Sequence, residues 1–170
     1  MFTETLFKSR QAIENFAALL LFWILLSDTM AIDVVAVGIV VALIISLAFR
    51  GSLSFFADFR FTPRAVWATV LYFIYFFKEL VKANLKLAVI VLSPSLPIKP
   101  GLVKVRTRLK TPMGRLLLAN SITLTPGTLS VDLDGDCFYV HWVTMETDEV
   151  EEATREIVQG FERYLEVMYG

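Results

Sequence analysis

The sequence predicts a membrane α-helical hairpin, a long amphipathic helix at the membrane interface, and a small cytoplasmic α+β domain with β-α-β-β-α order. Two apolar runs, residues 16–26 and 34–49, are separated by one short polar break at residues 27–30. Beyond Pro94 the pattern changes to alternating strands, Pro/Gly turns and a charged helix. The chain is 56% hydrophobic, which is more apolar than an ordinary soluble domain and typical of an integral membrane protein.

The two apolar runs are long enough to cross a membrane only when their flanks are included. Residues 34–49 extend about 24 Å as a helix, whereas the hydrocarbon core is about 30 Å thick. We therefore expect transmembrane spans at about 12–27 and 31–49, within an N-terminal hairpin domain that covers residues 1–60. Because lipid offers no water to unpaired backbone groups, both spans should be helical.

Basic residues lie on the two outer flanks of the hairpin. Lys8 and Arg10 precede the first span, Arg50 and Arg60 follow the second, and the break at residues 27–30 has no positive charge. Positive residues concentrate in the cytoplasmic loops of membrane proteins. The sequence therefore predicts a multi-pass protein of the cell membrane with both termini in the cytoplasm.

Residues 61–93 are predicted to form a third helix, for which there are two placements. Thr62 and Pro63 are typical of a helix start, as side-chain cap and first-turn proline. One side of the helix carries Arg64, Lys78, Glu79, Lys82 and Lys86. The remaining sides are mostly apolar, as in an amphipathic helix that lies in a membrane interface. A third full crossing would put the basic segment 99–115 outside, so we favour the interfacial helix and keep a third span as the alternative.

Residues 94–101, which contain three prolines, are a predicted linker to a cytoplasmic domain at residues 102–170. Strict alternation from Leu102 to Leu109 predicts a strand with one buried face and one polar face. The buried face has Val103, Val105, Thr107 and Leu109, and the polar face has Lys104, Arg106 and Arg108.

The rest of this domain is predicted as a helix, a β-hairpin and a final helix. Thr111 and Pro112 begin the first helix, and Asp134-Gly135 marks the hairpin turn. We expect the hairpin to bury Leu129, Val131, Leu133, Phe138, Val140 and Trp142. Thr147 is expected to cap the final helix. That helix is expected to bury Val150, Ala153, Ile157, Phe161, Tyr164, Leu165 and Met168. This order gives a layer of helices on a small sheet.

Charge is divided unevenly within the domain. Lys104, Arg106 and Arg108 belong to a basic run, residues 99–115, that contains no acid, whereas the final helix is rich in glutamate and includes Glu162. One interpretation is that the basic strand and the acidic helix each expose a charged face to solvent. The other is that the basic strand faces anionic lipid head groups or an acidic partner subunit, where each Lys or Arg contributes on the order of 1 kcal/mol.

Residues suited to catalysis or metal binding are scarce. The sequence has no phosphate-binding loop, no zinc or nucleophile motif, one histidine, His141, and one cysteine, Cys137. We therefore expect no enzymatic activity, no metal or other cofactor, and no nucleic-acid partner. Asp33, Glu79 and Lys82 are the candidates for an ion path. Asp33 is more simply explained as a solvated acid at a helix start, and the lysines beside Glu79 suit an interface.

Two stretches resemble a known family. They are FKELVKANLKLAVIVLSPSLPIKPGLVKVRT, residues 77–107, and GRLLLANSITLTPGTLSVDLDGDCFYVHWV, residues 114–143. Together they are similar to the E subunit of the multisubunit Mrp-type cation/proton antiporters, which usually exchange Na⁺ for H⁺. The resemblance implies an accessory subunit in a bacterial or archaeal inner membrane, with other antiporter subunits and membrane lipids as partners. It implies support of assembly and activity, and it supplies no ion-binding residues to carry over.

A stand-alone membrane-anchored module that binds a ligand or a lipid is the alternative to this subunit interpretation. The subunit interpretation expects the chain to co-purify with large, many-spanning antiporter proteins. The alternative expects a stable isolated protein with a ligand pocket.

Overall fold

The computed structural model of the chain describes residues 2–49 and 58–170, with side chains from residue 12 onward in the first range. The chain divides into two compact units, Met1–Asp58 and Phe59–Gly170. The side chains of Lys8 and Arg10, and the whole of residue Arg50, lie outside the described part; Arg60, the fourth basic residue of these flanks, lies within it.

The described residues of the first unit form two helices, α1 (Phe2–Ser27) and α2 (Ile32–Ala48). They contact each other through a row of small buried residues on α2, spaced four apart: Gly38, Ala42 and Ser46. The Trp23 ring lies so close to Gly38 that a Cβ atom there would overlap it. The Trp23 indole N–H also donates to the Val34 carbonyl at 3.0 Å. Small residues at this spacing bring helix backbones close together, as is common in membrane helix pairs.

The two predicted spans coincide with helical backbone in this unit. The turn between the helices includes Asp28, which adopts a positive φ of 49°. Within residues 2–49 and 58–170, no helix meets both the length and the hydropathy that a membrane crossing requires. The spans at 12–27 and 31–49 stay predictions.

The second unit begins with one long helix, α3 (Pro63–Leu92), of 30 residues. The Thr62 Oγ1 atom accepts the Ala65 N–H at 3.1 Å, and Pro63 occupies the first turn. The predicted start of this helix is therefore confirmed. The cap satisfies one of the backbone donors that have no partner within the helix.

The remainder of this unit is an α+β fold with helices on a three-stranded antiparallel sheet. Its elements, in chain order, are β1 (Gly101–Arg106), α4 (Pro112–Leu124), β2 (Thr128–Asp134), β3 (Cys137–Trp142), α5 (Val150–Ile157) and α6 (Gln159–Tyr169). The strand order is β1-β3-β2. Asp134 pairs with Cys137 across a two-residue turn in which Gly135 has a φ of 58°, a conformation that glycine adopts without strain.

One hydrophobic core joins the sheet, α3, α4, α5 and α6. The alternation predicted for the first strand is confirmed by burial and continues past its last paired residue. The buried members are Val103, Val105, Thr107 and Leu109. They share the interior with Phe138, Val140, Trp142, Leu118, Ile122, Phe161 and Leu165. The α4 start is also confirmed, since the Thr111 hydroxyl accepts the Gly114 N–H at 3.4 Å.

The predicted orientation of β2 is wrong. Its three large apolar residues are 39–57% exposed: Leu129, Val131 and Leu133. A bulge shifts the register between Ser130 and Asp132, and Ser130 lies opposite buried Val140. The Ser130 hydroxyl donates to the Ala119 carbonyl of α4 at 3.1 Å. Because α4 passes this close to the strand, a small polar side chain takes the inward position.

The single final helix that the sequence predicts is two helices, α5 and α6, with a break at Val158. The Phe161 N–H bonds the Val158 carbonyl only three residues back, which tightens the chain at this point. The break lets Ile157 and Val158 both face the core, at 7% and 0% exposure. The cap prediction also fails. Thr147 accepts the Glu149 N–H at 3.2 Å, while α5 begins later, after Glu149.

Candidate functional site

The outward surface of α3 is a continuous apolar stripe. Its members are each at least 45% exposed: Val66, Trp67, Val70, Phe73, Ile74, Phe77, Val81, Leu85, Val89, Val91 and Leu92. We call this set the outer stripe. It extends about 40 Å at the helical rise. The Asn84 side-chain amide donates to its own helix, to the Leu80 carbonyl at 2.8 Å. An exposed apolar surface of this size indicates contact with lipid or with another protein.

The opposite face of α3 packs on the α+β fold. The Tyr72 hydroxyl and the Ser121 hydroxyl of α4 are 2.6 Å apart in a buried hydrogen bond. The Tyr75 ring meets Phe161 of α6 edge to face, with centroids 5.2 Å apart. A Cβ atom on Gly160 would overlap the Tyr75 hydroxyl, so glycine is what allows this close approach. Therefore α3 is an integral part of the same unit as the sheet.

Glu79 and Lys82 line a cavity of about 140 Å³ between α3 and the α+β fold. The Lys82 Nζ atom lies 3.6 Å from Glu79 Oε2, and Lys86 Nζ lies 2.6 Å from Glu146 Oε1. Each of these lysines has an acidic neighbour in the cavity region, so its charge is locally balanced. The cavity floor is apolar and includes Trp142, Ile157 and Phe161.

Another carboxylate of this cavity, Glu156, has a shifted pKa. Partial burial raises the pKa of Glu156 above its ordinary value, and the negative charge of Glu146 raises it further. The positive charges of Lys86 and Lys82 act in the opposite direction. The arrangement is a mixed-charge cleft at the inner side of α3, with both signs of charge supplied by the chain itself.

Asp33 belongs to the other unit. It lies in the first turn of α2 and is exposed, as expected for a solvated acid that favours the positive end of a helix dipole. From residue 34 to residue 48 the helix has no ionisable side chain. Asp33 therefore has no second acid or base farther along α2 with which to form a relay.

The basic strand has the predicted orientation. Lys104 and Arg106 project from the sheet face opposite the core, and Arg108 follows beyond the strand end; all three are exposed. Lys104 Nζ lies 5.8 Å from the ring centroid of Tyr139, its cross-strand neighbour. His141 lies on the same face, as expected from alternation.

Glu162 does not fit the interpretation of the acidic helix as a solvated face. It is only 5% exposed. Its Oε1 atom accepts the Thr107 hydroxyl at 2.5 Å and the Arg108 N–H at 2.7 Å. Glu162 therefore fixes the segment between β1 and α4 to α6. No local sequence signal distinguishes it from the other glutamates of the acidic helix.

Comparison with known proteins agrees with this architecture. The family described as Na⁺/H⁺ ion antiporter subunit matches residues 16–168. The chain is 41% identical over 127 residues to the E subunit of the Na⁺/H⁺ antiporter of Alkalihalophilus pseudofirmus, and the match covers 75% of this chain and 78% of that protein. It is 34% identical over 158 residues to the E1 subunit of a Na⁺/H⁺ antiporter of Staphylococcus haemolyticus, with 92% of both chains covered.

A solved structure also matches across most of the chain. It is a chain of the membrane-bound sulfane sulfur reductase, an archaeal respiratory membrane complex, with a TM-score of 0.78 and 33% identity. The match covers 91% of this chain and 96% of that chain. Since the family match runs through both units and the named relatives are antiporter E subunits, the chain belongs to the E-subunit family of the Mrp-type Na⁺/H⁺ antiporters.

Proposed function

We propose that this chain is an accessory subunit of a multisubunit monovalent cation/proton antiporter, Na⁺/H⁺, in a bacterial or archaeal inner membrane. It supports the assembly and activity of the complex and does not conduct the ion. Its partners are the other antiporter subunits and membrane lipids. The named relatives, both antiporter E subunits, support this assignment.

The non-conducting role is inferred from where the ionisable side chains lie in the chain. The apolar parts of the two predicted spans, residues 16–27 and 34–48, have no ionisable side chain, and neither has the outer stripe. A cation or proton path through hydrocarbon needs polar groups along its length. Glu79 and Lys82 face the α+β fold, where each has an opposite charge nearby. The path therefore belongs to other subunits.

We further propose two membrane spans, at 12–27 and 31–49, with α3 lying in the cytoplasmic membrane interface. The packing of α3 supports this arrangement. Residues from Ala68 to Ile90 on its inner face contact the α+β fold or line the cavity beneath it. A crossing by α3 would have to carry the charged domain into the lipid, or break this core. An interfacial helix keeps the core intact and places the outer stripe in contact with lipid.

Cysteine labelling of intact cells tests this topology. In a variant without Cys137, Thr29→Cys should react with an impermeant maleimide, because the turn after α1 is predicted outside. Lys104→Cys should react only after the cells are permeabilised, because the sheet is predicted in the cytoplasm. Both parent side chains are exposed, so burial does not limit the reaction. Labelling of Lys104→Cys in intact cells would contradict two spans and favour a third.

A further inference from the structure

A second cleft in the unit Phe59–Gly170 brings together four cationic side chains from four different segments of the fold. It has a volume of about 540 Å³ and lies where α3 meets the start of α6. Its cations are Lys78 of α3, Arg108 after β1, Arg155 of α5 and Arg163 of α6. We call it the arginine cleft. Lys78 joins the three arginines only because α3 packs on the α+β fold.

Arg163 is held in place by aromatic rings. Its Cζ atom lies 4.9 Å from the centroid of the Tyr75 ring and 4.6 Å from that of Tyr164, and Nη2 donates to the Tyr164 hydroxyl at 2.8 Å. Stacking uses the faces of a guanidinium group, while its N–H donors point out from the edge. A stacked arginine is therefore already ordered for a bidentate bond to a phosphate or carboxylate.

Carboxylates also line the arginine cleft, but they lie deeper than the cations. Glu79 has a side chain 19% exposed, against 71% for Lys78 beside it. Glu162 is 5% exposed and accepts its hydrogen bonds from the segment after β1. Glu166 is the third carboxylate. The Arg155 side chain is 69% exposed and bonds Glu152 at 3.3 Å, an exposed pair that an anion can displace at little cost. Lys78 is paired as well, with its Nζ atom 3.7 Å from Glu79 Oε1. All four cations are exposed and the three carboxylates are partly or fully buried, so cations line the mouth of the cleft.

The cleft opens beside the outer stripe, because Lys78 has two members of the stripe, Ile74 and Val81, as its i−4 and i+3 neighbours on α3. We propose that the arginine cleft binds the phosphate of an anionic phospholipid whose acyl chains lie along the outer stripe. This inference rests on the proposed interfacial position of α3. A soluble phosphate offers the same head-group chemistry but cannot use the apolar surface next to the cleft. A lipid uses both, as in basic pockets that bind anionic head groups at membrane surfaces.

Native mass spectrometry of the full chain in a neutral detergent tests the proposal. The probes are dioleoyl phosphatidylglycerol, dioleoyl phosphatidylcholine with the same acyl chains, and inorganic phosphate. Phosphatidylglycerol should bind in preference to both. Arg108→Gln with Arg163→Gln should weaken its binding about 30-fold, because each removed charge contributes on the order of 1 kcal/mol. Arg108→Gln alone, outside the aromatic stack, should weaken binding about fivefold and leave the fold unchanged.

The matched control is Lys99→Gln with Lys104→Gln, which removes the same charge from two exposed lysines that do not line the cleft. It should bind phosphatidylglycerol like the unsubstituted chain. Equal losses in both double variants would overturn the site and indicate general electrostatic attraction. If inorganic phosphate binds the cleft as tightly as phosphatidylglycerol does, the ligand is a soluble anion and the lipid assignment is overturned. Equal binding of phosphatidylglycerol and phosphatidylcholine would show that the cleft does not recognise an anionic head group.

The labelling experiment separates failure of this inference from failure of the proposed arrangement. If Lys104→Cys is protected in intact cells but the arginine variants bind lipid normally, the interfacial helix stands and the lipid site is refuted. If Lys104→Cys reacts in intact cells, the interfacial position of α3 is refuted, and with it the basis for the lipid site.

Discussion

Val103→Asp is expected to unfold the α+β fold. Val103 is 2% exposed in β1 and pairs with Val140, which is fully buried. An aspartate there would be a buried charge without a partner, a change that costs about 3–5 kcal/mol. Since whole domains are stable by only about 5–15 kcal/mol, this cost removes a large fraction of the stability and should strongly lower the temperature at which the fold is lost. Thermal unfolding of the full chain in detergent, followed by circular dichroism, measures the effect.

The neighbouring position supplies the control. Leu102 is 60% exposed on the opposite face of the same strand. Leu102→Asp introduces the same residue at the next position, and its expected effect on the free energy of unfolding is within about 0.5 kcal/mol. Comparable destabilisation by the two substitutions would show that the two faces of β1 are not distinguished by burial, and the core described above would be wrong.

The second large effect is expected for Glu162→Ala. This change removes the acceptor of the Thr107 O–H and of the Arg108 N–H, so both donors lose their partner, while the Thr107 oxygen still accepts the Leu109 N–H. Each unsatisfied buried group costs about 1–3 kcal/mol, so we expect destabilisation of about 2–4 kcal/mol. Hydrogen exchange of the Arg108 amide should accelerate, since that amide loses its acceptor.

Glu162→Gln is the matched variant, because an amide has nearly the same volume and keeps one acceptor oxygen. It should preserve most of the stability and the slow exchange of the Arg108 amide. If Glu162→Ala exchanges as slowly as the unsubstituted chain, Glu162 does not fix the segment after β1, and its burial has another cause.

Local sequence signals predict an element well where contacts between neighbouring residues alone determine its structure. Thr62-Pro63 and Thr111-Pro112 begin helices because a hydroxyl and a proline suit the first turn in any context. The alternation in β1 holds because no other element changes the register of that strand. The turn at Gly135 follows from the backbone freedom of glycine.

Tertiary packing decides the features that the sequence does not reveal. The approach of α4 turns Ser130 inward and places the apolar residues of β2 at the surface. The break at Val158 depends on two adjacent residues both facing the core. The burial of Glu162 depends on donors 54 and 55 residues away. None of these contacts leaves a periodic signal.

The sequence predicts only those parts of the candidate site that do not depend on tertiary packing. The amphipathic character of α3 and the exposure of the basic strand follow from spacing alone. The inner face of α3 is different, because Tyr72 and Tyr75 find their partners on α4 and α6. The arginine cleft needs that packing as well. By contrast, Gly38, Ala42 and Ser46 have a spacing that could have indicated the α1–α2 contact from sequence.

Antiport by the assembled complex tests the central claim, that this chain supports the antiporter without conducting the ion. Asp33→Asn, Glu79→Gln and Lys82→Gln should each be made in the tagged chain. The complex should then be purified with its partner subunits, matched for yield, and returned to vesicles. We expect Na⁺-driven proton exchange at a rate comparable to that of the unsubstituted complex, because we propose that the conducting groups belong to other subunits. Abolished exchange in a fully assembled Glu79→Gln complex would contradict the account and place an ion relay on α3.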